Sequence, residues 1–129
     1  MGLATFKGGI HPYEGKELSE SKPVSVLQPK GEMVFPLSQH IGAPAKPLVA
    51  KGDQVLKGQI IAEAGGFISA NVLSSVSGTV KGIEPRLVAN GAMVQSIIVE
   101  NDGEENAIEG FGNERDYTKL SKEEIRNII

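Results

Sequence analysis

The sequence contains no cysteine and no tryptophan, and only 5% of its 129 residues are aromatic. Without cysteine the chain can form no disulfide, no thiolate metal site and no cysteine nucleophile. It also has no means of holding an iron–sulfur cluster in the usual thiolate manner. No run approaches the roughly 18 apolar residues of a membrane-spanning helix, and residues 1–9 lack the apolar stretch of a secretory signal. Basic charge is not in excess: 13 Lys+Arg stand against 16 Asp+Glu, for a net charge of −3. Neither half of the chain has the basic, aromatic-interleaved character of a nucleic-acid binder. These absences predict a soluble, cytoplasmic chain that neither enters the membrane nor binds nucleic acid. The 40% of apolar residues suffice for one modest core of Val, Ile, Leu and Ala.

What is present is an internal repeat. Leu48-Val49-Ala50-Lys51-Gly52-Asp53-Gln54-Val55 returns as Leu87-Val88-Ala89-Asn90-Gly91-Ala92-Met93-Val94. Each copy runs on into a strand-like segment, Gln59 to Glu63 after the first and Gln95 to Glu100 after the second. Units this small cannot bury their own apolar faces and must pack on their copies. The repeat therefore predicts one domain with an approximate two-fold relation between its halves.

Short apolar runs separated by Gly, Pro, Asn and Asp mark a small all-β domain. The expected strands are Val24-Ser25-Val26-Leu27, Glu32 to Phe35, Gln59 to Glu63, Ala70 to Leu73, Gly78 to Ile83 and Gln95 to Glu100. Lys30-Gly31, Lys51-Gly52-Asp53, Gly65-Gly66, Ser77-Gly78 and Asn90-Gly91 supply the turns, where Gly or Asn accepts a positive φ. Only the C-terminus reads as helical: Ser121 and Glu124 form a capping box, Leu120 and Ile125 can staple the entry, and Ile125, Ile128 and Ile129 continue one apolar face. That face meets no stop signal, so the natural protein is expected to continue.

Between sheet and helix, Glu100 to Asp116 holds seven carboxylates, three glycines and one Arg. Such a run predicts a solvated linker. Asn101-Asp102-Gly103-Glu104-Glu105 lacks the ligand spacing and terminal bidentate Glu of a calcium loop. The expected organisation is an N-terminal arm over 1–22 packing on the core, a β domain over 23–101, an acidic linker over 102–120, and the start of a helix over 121–129.

The segment Val49 to Ala64, with its Gly52-Asp53 turn and Gly58-Gln59 step, resembles the biotinyl/lipoyl family, as does Ser77-Gly78-Thr79-Val80. That resemblance implies a barrel-sandwich hybrid fold made of two related halves, in agreement with the repeat. It does not extend to carrier function. A swinging-arm cofactor is joined to a Lys amine at the hairpin tip, and here no Lys occurs between Lys57 and Lys81. Phe67 at that tip either folds back over the small core or stands exposed as an anchor for a partner.

Two further segments carry polar groups. In Phe6-Lys7-Gly8-Gly9-Ile10-His11-Pro12 the Gly pair reads as a structural turn, since a phosphate site needs a strand-turn-helix setting and Pro12 has no N–H. Pro36-Leu37-Ser38-Gln39-His40-Ile41-Gly42-Ala43-Pro44-Ala45-Lys46-Pro47 combines polar side chains with proline stiffness. Ser38 and His40 would share a face on a strand, and an imidazole titrates near neutral pH, yet no oxyanion donor or orienting acid accompanies them. Neither His11 nor His40 stands at a metal-ligand spacing with a carboxylate. A rigid loop for packing or docking is the expected role, which assigns no catalytic, cofactor-binding or metal residues.

These two segments, in this order, together with Gly52-Asp53, Gly58-Gln59 and Ser77-Gly78-Thr79-Val80, resemble the N-terminal region of the RnfC family, a component of the Rnf electron transport complex. The resemblance runs from Phe6 to the terminal helix. It implies a peripheral subunit on the cytoplasmic face of a bacterial membrane complex that passes electrons between ferredoxin and NAD and couples this to sodium or proton movement. By the same resemblance the full subunit carries FMN, NAD(H) and two 4Fe-4S clusters, none of which this segment has the motifs to bind. The implied role is a docking or scaffold module for other complex subunits or ferredoxin. Gly9, His11, Pro12, Gln39, His40 and Pro44 are the expected contact surface, with Phe67 second. The alternative is a flavin or nucleotide site walled by Gly8-Gly9 and the Gln39-His40 loop.

Overall fold

The computed structural model describes residues 12–128. Two antiparallel sheets face each other. Strands β1 (Glu32–Pro36), β7 (Met93–Asn101), β6 (Gly78–Leu87) and β3 (Gln54–Val55) form a four-stranded sheet in that order. The second sheet has three strands, β2 (Lys46–Pro47), β4 (Ile60–Glu63) and β5 (Val72–Leu73), with β4 in the centre. A single short helix, α1 (Lys122–Ile128), follows. The core is filled from both sheets: Phe35, Val55, Val80, Ile97 and Val99 come from the first, and Ile61, Ala62 and Val72 from the second. The all-β barrel-sandwich hybrid expected from the sequence is what forms. Apart from Phe35, the side chains that fill it are aliphatic.

Five of the six expected strands form, with shifted ends. Strands β6 and β7 run beyond the expected limits to Leu87 and back to Met93, because the second copy of the repeat is itself a hairpin turn inside one sheet. The first copy instead carries the chain from β2 in one sheet to β3 in the other. Both copies place glycine at the same point with positive φ, Gly52 at 98° and Gly91 at 83°, a conformation other residues adopt only with strain.

Val24-Ser25-Val26-Leu27 is the expectation that fails. The segment joins neither sheet, and Val24 is 99% exposed. Pro23 and Pro29 flank it without N–H donors. The carbonyls of Pro29 and Gly31 accept from the side chain and backbone of Asn101, at 2.9 and 3.1 Å, which fixes where the chain enters β1. Of the N-terminal arm expected over residues 1–22, only 12–22 lie among the described residues. Residues 12–22 form one 3-10 turn, Lys16–Leu18, and Tyr13 and Leu18 stay exposed rather than packing on the core. Two large apolar groups among five charged ones are too few to dock the segment.

The acidic segment after β7 is exposed, as a solvated run should be, but it is not a free linker. Ala107 pairs with Lys57 in a parallel bridge, and Lys57 both donates to Asn106 and accepts from Ile108. Its start is held by Ser77, whose buried hydroxyl donates to Asp102 Oδ1 at 2.6 Å and accepts from the Asn106 N–H at 3.0 Å. The Glu104 N–H donates to the same Asp102 oxygen at 2.9 Å. The Ser77 hydroxyl first, then the Glu104 N–H, favour the ionised carboxylate and hold Asp102 below its ordinary value of 3.8. A carboxylate depressed in the folded state contributes stability that is complete above the unfolded value and is lost as pH falls through the folded one. Glu32, Asp116 and Glu124 are shifted in the same direction. The urea midpoint should therefore decline below about pH 4. Asp102→Asn should lower stability at neutral pH and remove part of that acid dependence, measured by urea titration across a pH series.

The capping box forms as read: Glu124 Oε2 accepts from the backbone N–H and hydroxyl of Ser121, each at 2.8 Å, and the Glu124 N–H donates to Ser121 Oγ at 3.3 Å. Helix α1 thus starts where the sequence places it. No helix among the described residues is long and apolar enough to cross a membrane.

Candidate functional site: an uncharged, braced end

At one end of the sandwich, three loops meet. Strand β1 ends at Pro36, and the Leu37 N–H donates to Gln95 O at 2.9 Å, which sets the following loop beside the β6–β7 turn. That loop, 38–44, then lies against the β4–β5 connection. The Ala43 N–H donates to Ile68 O at 2.9 Å, Ser69 Oγ donates to Ala43 O at 2.7 Å, and the Gly65 N–H donates to Ser69 Oγ at 2.9 Å. The two backbones approach so closely that Gly42 and Gly65 have no room for a side chain. A Cβ at Gly42 would stand 2.6 Å from the Ile68 carbonyl carbon, and one at Gly65 would stand 3.1 Å from that of Pro44.

His40 is part of this brace. Its Nδ1 faces the Gly42 N–H at 3.1 Å and its Nε2 faces the Ala70 N–H at 3.2 Å. A neutral imidazole has one acceptor nitrogen, so the ring serves one of these amides at a time while the other nitrogen carries the ring proton. Both ring nitrogens are directed at backbone, and Ser38 is not among the ring's partners. The pairing needed for a nucleophile and its base is absent from this loop. Gln39 is exposed and makes a local bond, its Nε2 donating to Pro36 O at 3.0 Å.

Beside these polar groups, several large apolar side chains stand exposed. Ile41 and Phe67 are fully exposed, at 102% and 105%, and Ile68, Leu87 and Met93 are largely so. Of the two conformations open to Phe67, the structure adopts the exposed one. Between the loop and the β6–β7 turn lies a groove of about 480 Å³ bounded by Pro36, Ser38 to Ile41, Val88 to Asn90 and Val94. Among the described residues, no lysine or arginine lines it. Among the described residues, no three His, Asp or Glu side chains gather closely enough to hold a metal ion.

Among the residues singled out from sequence, Gln39, His40, Pro44 and Phe67 are brought together here. Pro12 is exposed on the arm before the 3-10 turn, and Gly9 and His11 lie outside the described residues. Ile41, Ile68 and Val88 to Asn90 were not singled out. The signal that would have found them is missing charge: residues 36–45, 64–80 and 87–99 contain no Lys, Arg, Asp or Glu, in a chain where 22% of residues are charged. One cluster of paired charges lies on the four-stranded sheet, where Lys81 Nζ lies 2.7 Å from Glu32 and 3.1 Å from Glu100, and Arg86 lies 2.6 Å from Glu84. Lys81, as hydrogen-bond donor and as neighbouring charge, holds the Glu32 carboxyl below its usual range.

The fold and this end define a barrel-sandwich hybrid domain whose uncharged face is rigidly held and apolar. Residues 4–104 match the RnfC barrel sandwich hybrid domain, and the chain belongs to that family. Over 127 residues, 98% of its length, it is 39% identical to the RnfC-type component of the proton-translocating ferredoxin:NAD(+) oxidoreductase complex of Clostridium ljungdahlii, of which the match covers 28%. It is 46% identical over 99 residues, 77% of its length, to the corresponding component of the Na(+)-translocating ferredoxin:NAD(+) oxidoreductase complex of Acetobacterium woodii, covering 22% of that protein. Identity to the corresponding component of the ion-translocating oxidoreductase complex of Vibrio cholerae O395 is 35% over 129 residues, 98% of this chain and 17% of the relative. The chain thus spans less than a third of these relatives.

Proposed function

We propose that this domain is a docking and scaffold module of an ion-translocating ferredoxin:NAD oxidoreductase complex, seating an RnfC-type subunit against its neighbours at the cytoplasmic side of the bacterial membrane. The reading rests on one observation: fully exposed Ile41 and Phe67 are carried on two loops that hydrogen bonds lock together. A solvent-exposed apolar anchor on a rigid support loses little entropy on burial, which favours binding. The redox work named for the relatives, with the FMN, NAD(H) and 4Fe-4S clusters implied by resemblance, falls to parts of such a subunit other than this segment. A flavin or nucleotide site walled by Gly8-Gly9, which lie outside the described residues, and the Gln39-His40 loop has less support, because the described lining of the groove there offers no Lys or Arg to a phosphate.

The test is co-purification of the domain with the remaining complex subunits. Phe67→Asp and Ile41→Asp should each weaken retention by about 30-fold, a typical anchor effect, without loss of stability. His40→Ala should lower stability by about 1 kcal/mol, since it removes an acceptor from the brace, and leave retention intact once folded. Wild-type retention by both aspartate variants would overturn the proposal.

A further inference from the structure

The distribution of charge around the docking end specifies the chemistry of what it meets. Resting on the docking reading above, we infer that the partner of this end is an uncharged, apolar protein surface held in lasting contact, and neither an anionic membrane nor a highly charged shuttle protein. Loops 38–44, 64–71 and 88–94 contain no ionisable side chain except His40. The first charged residues beyond them come as pairs of opposite sign. Lys46 stands directly opposite Glu63 across β2 and β4, and Arg86 is paired with Glu84. Among the described residues, these three loops therefore present no excess of either charge to a partner.

Each candidate partner has an electrostatic requirement. An anionic bilayer is gripped by clustered Lys and Arg around an apolar wedge, and the described residues of this end supply the wedge without the cations. Transient electron-carrier encounters rely on complementary charge for fast association and have small interfaces, and the described residues of this end supply no such charge. Lasting protein contacts have cores depleted in charge and enriched in aromatic and aliphatic groups. Ile41, Phe67 and Ile68 match that composition, and the groove beside Ile41 is large enough to receive an apolar side chain in return. Ser38, Gln39 and Asn90 at the groove leave neutral hydrogen-bonding groups around it. The charge of this chain lies elsewhere: the acidic run begins at Glu100, at the far end of the β6–β7 ladder from the turn.

The experiment uses the chain assembled with the other complex subunits. Retention is compared from about 50 mM to about 500 mM salt, where screening shortens from beyond 10 Å to a few ångströms. In parallel, a chain carrying p-benzoylphenylalanine in place of Phe67 is photo-crosslinked in the assembled complex, and flotation is measured with vesicles of phosphatidylcholine and phosphatidylglycerol. The expected result is less than threefold change in retention with salt, a crosslink to an uncharged segment of another subunit, and no flotation. A tenfold or greater loss with salt would overturn the inference while leaving docking in place, as would flotation lost in Phe67→Asp, or a crosslink confined to a second copy. If wild-type and Phe67→Asp chains are retained equally at every salt concentration and no crosslink forms, the docking reading falls as well.

Discussion

Gly42→Ala should destabilise the domain by about 3 kcal/mol or more, at the severe end for a single added methyl group. The new Cβ would lie 2.6 Å from the Ile68 carbonyl carbon and 2.8 Å from Ile68 Cγ2, well inside van der Waals contact. The Ile68 side chain can rotate away, but its carbonyl cannot easily follow. That oxygen accepts the Ala43 N–H at 2.9 Å, and Ser69, the next residue, donates its hydroxyl to Ala43 O at 2.7 Å. Relief therefore requires separating the loop from the hairpin and giving up the hydrogen bonds that join them. Gly65→Ala presses the same junction from the other side, against Pro44. Since either change opens one shared contact, the double variant should be less destabilised than the sum of the singles. Urea unfolding of the four proteins measures this. A loss below about 1 kcal/mol for Gly42→Ala would show that the two loops are not clamped, and would remove the rigidity on which the docking proposal depends.

Local signals gave the fold where they were strong. Gly-Asp and Asn-Gly turns, the strand-like run after each copy of the repeat, and the Ser121–Glu124 capping box are read within a few residues, and each appears in place. Strands β2 and β3 are only two residues long and carry no alternation to detect, so they escaped notice. The candidate site was half legible. Gln39, His40 and Phe67 stand out because polar and aromatic side chains draw attention. Ile41 and Val88 to Asn90 belong to the surface through the fold alone, which brings three charge-free stretches to one end. Each stretch separately looks like ordinary core sequence.

Ile97→Ala is expected to cost about 2–5 kcal/mol, whereas Val26→Ala should change stability by less than about 0.5 kcal/mol. The contrast matters because the two residues sit in runs that look alike. Val24-Ser25-Val26-Leu27 and Gln95-Ser96-Ile97-Ile98-Val99 are both short and β-branched, and both read as strands. Their fates diverge through pairing. Ile97 is wholly buried, registered between Phe35 on β1 and Ile83 on β6, so deletion of its side chain leaves a cavity between two sheets that cannot close over it. Val26 is 83% exposed and outside both sheets, so its truncation removes almost nothing from a packed environment. Chemical denaturation of the two variants separates these cases. A loss above about 1 kcal/mol for Val26→Ala would mean that residues 24–27 are covered in the folded protein.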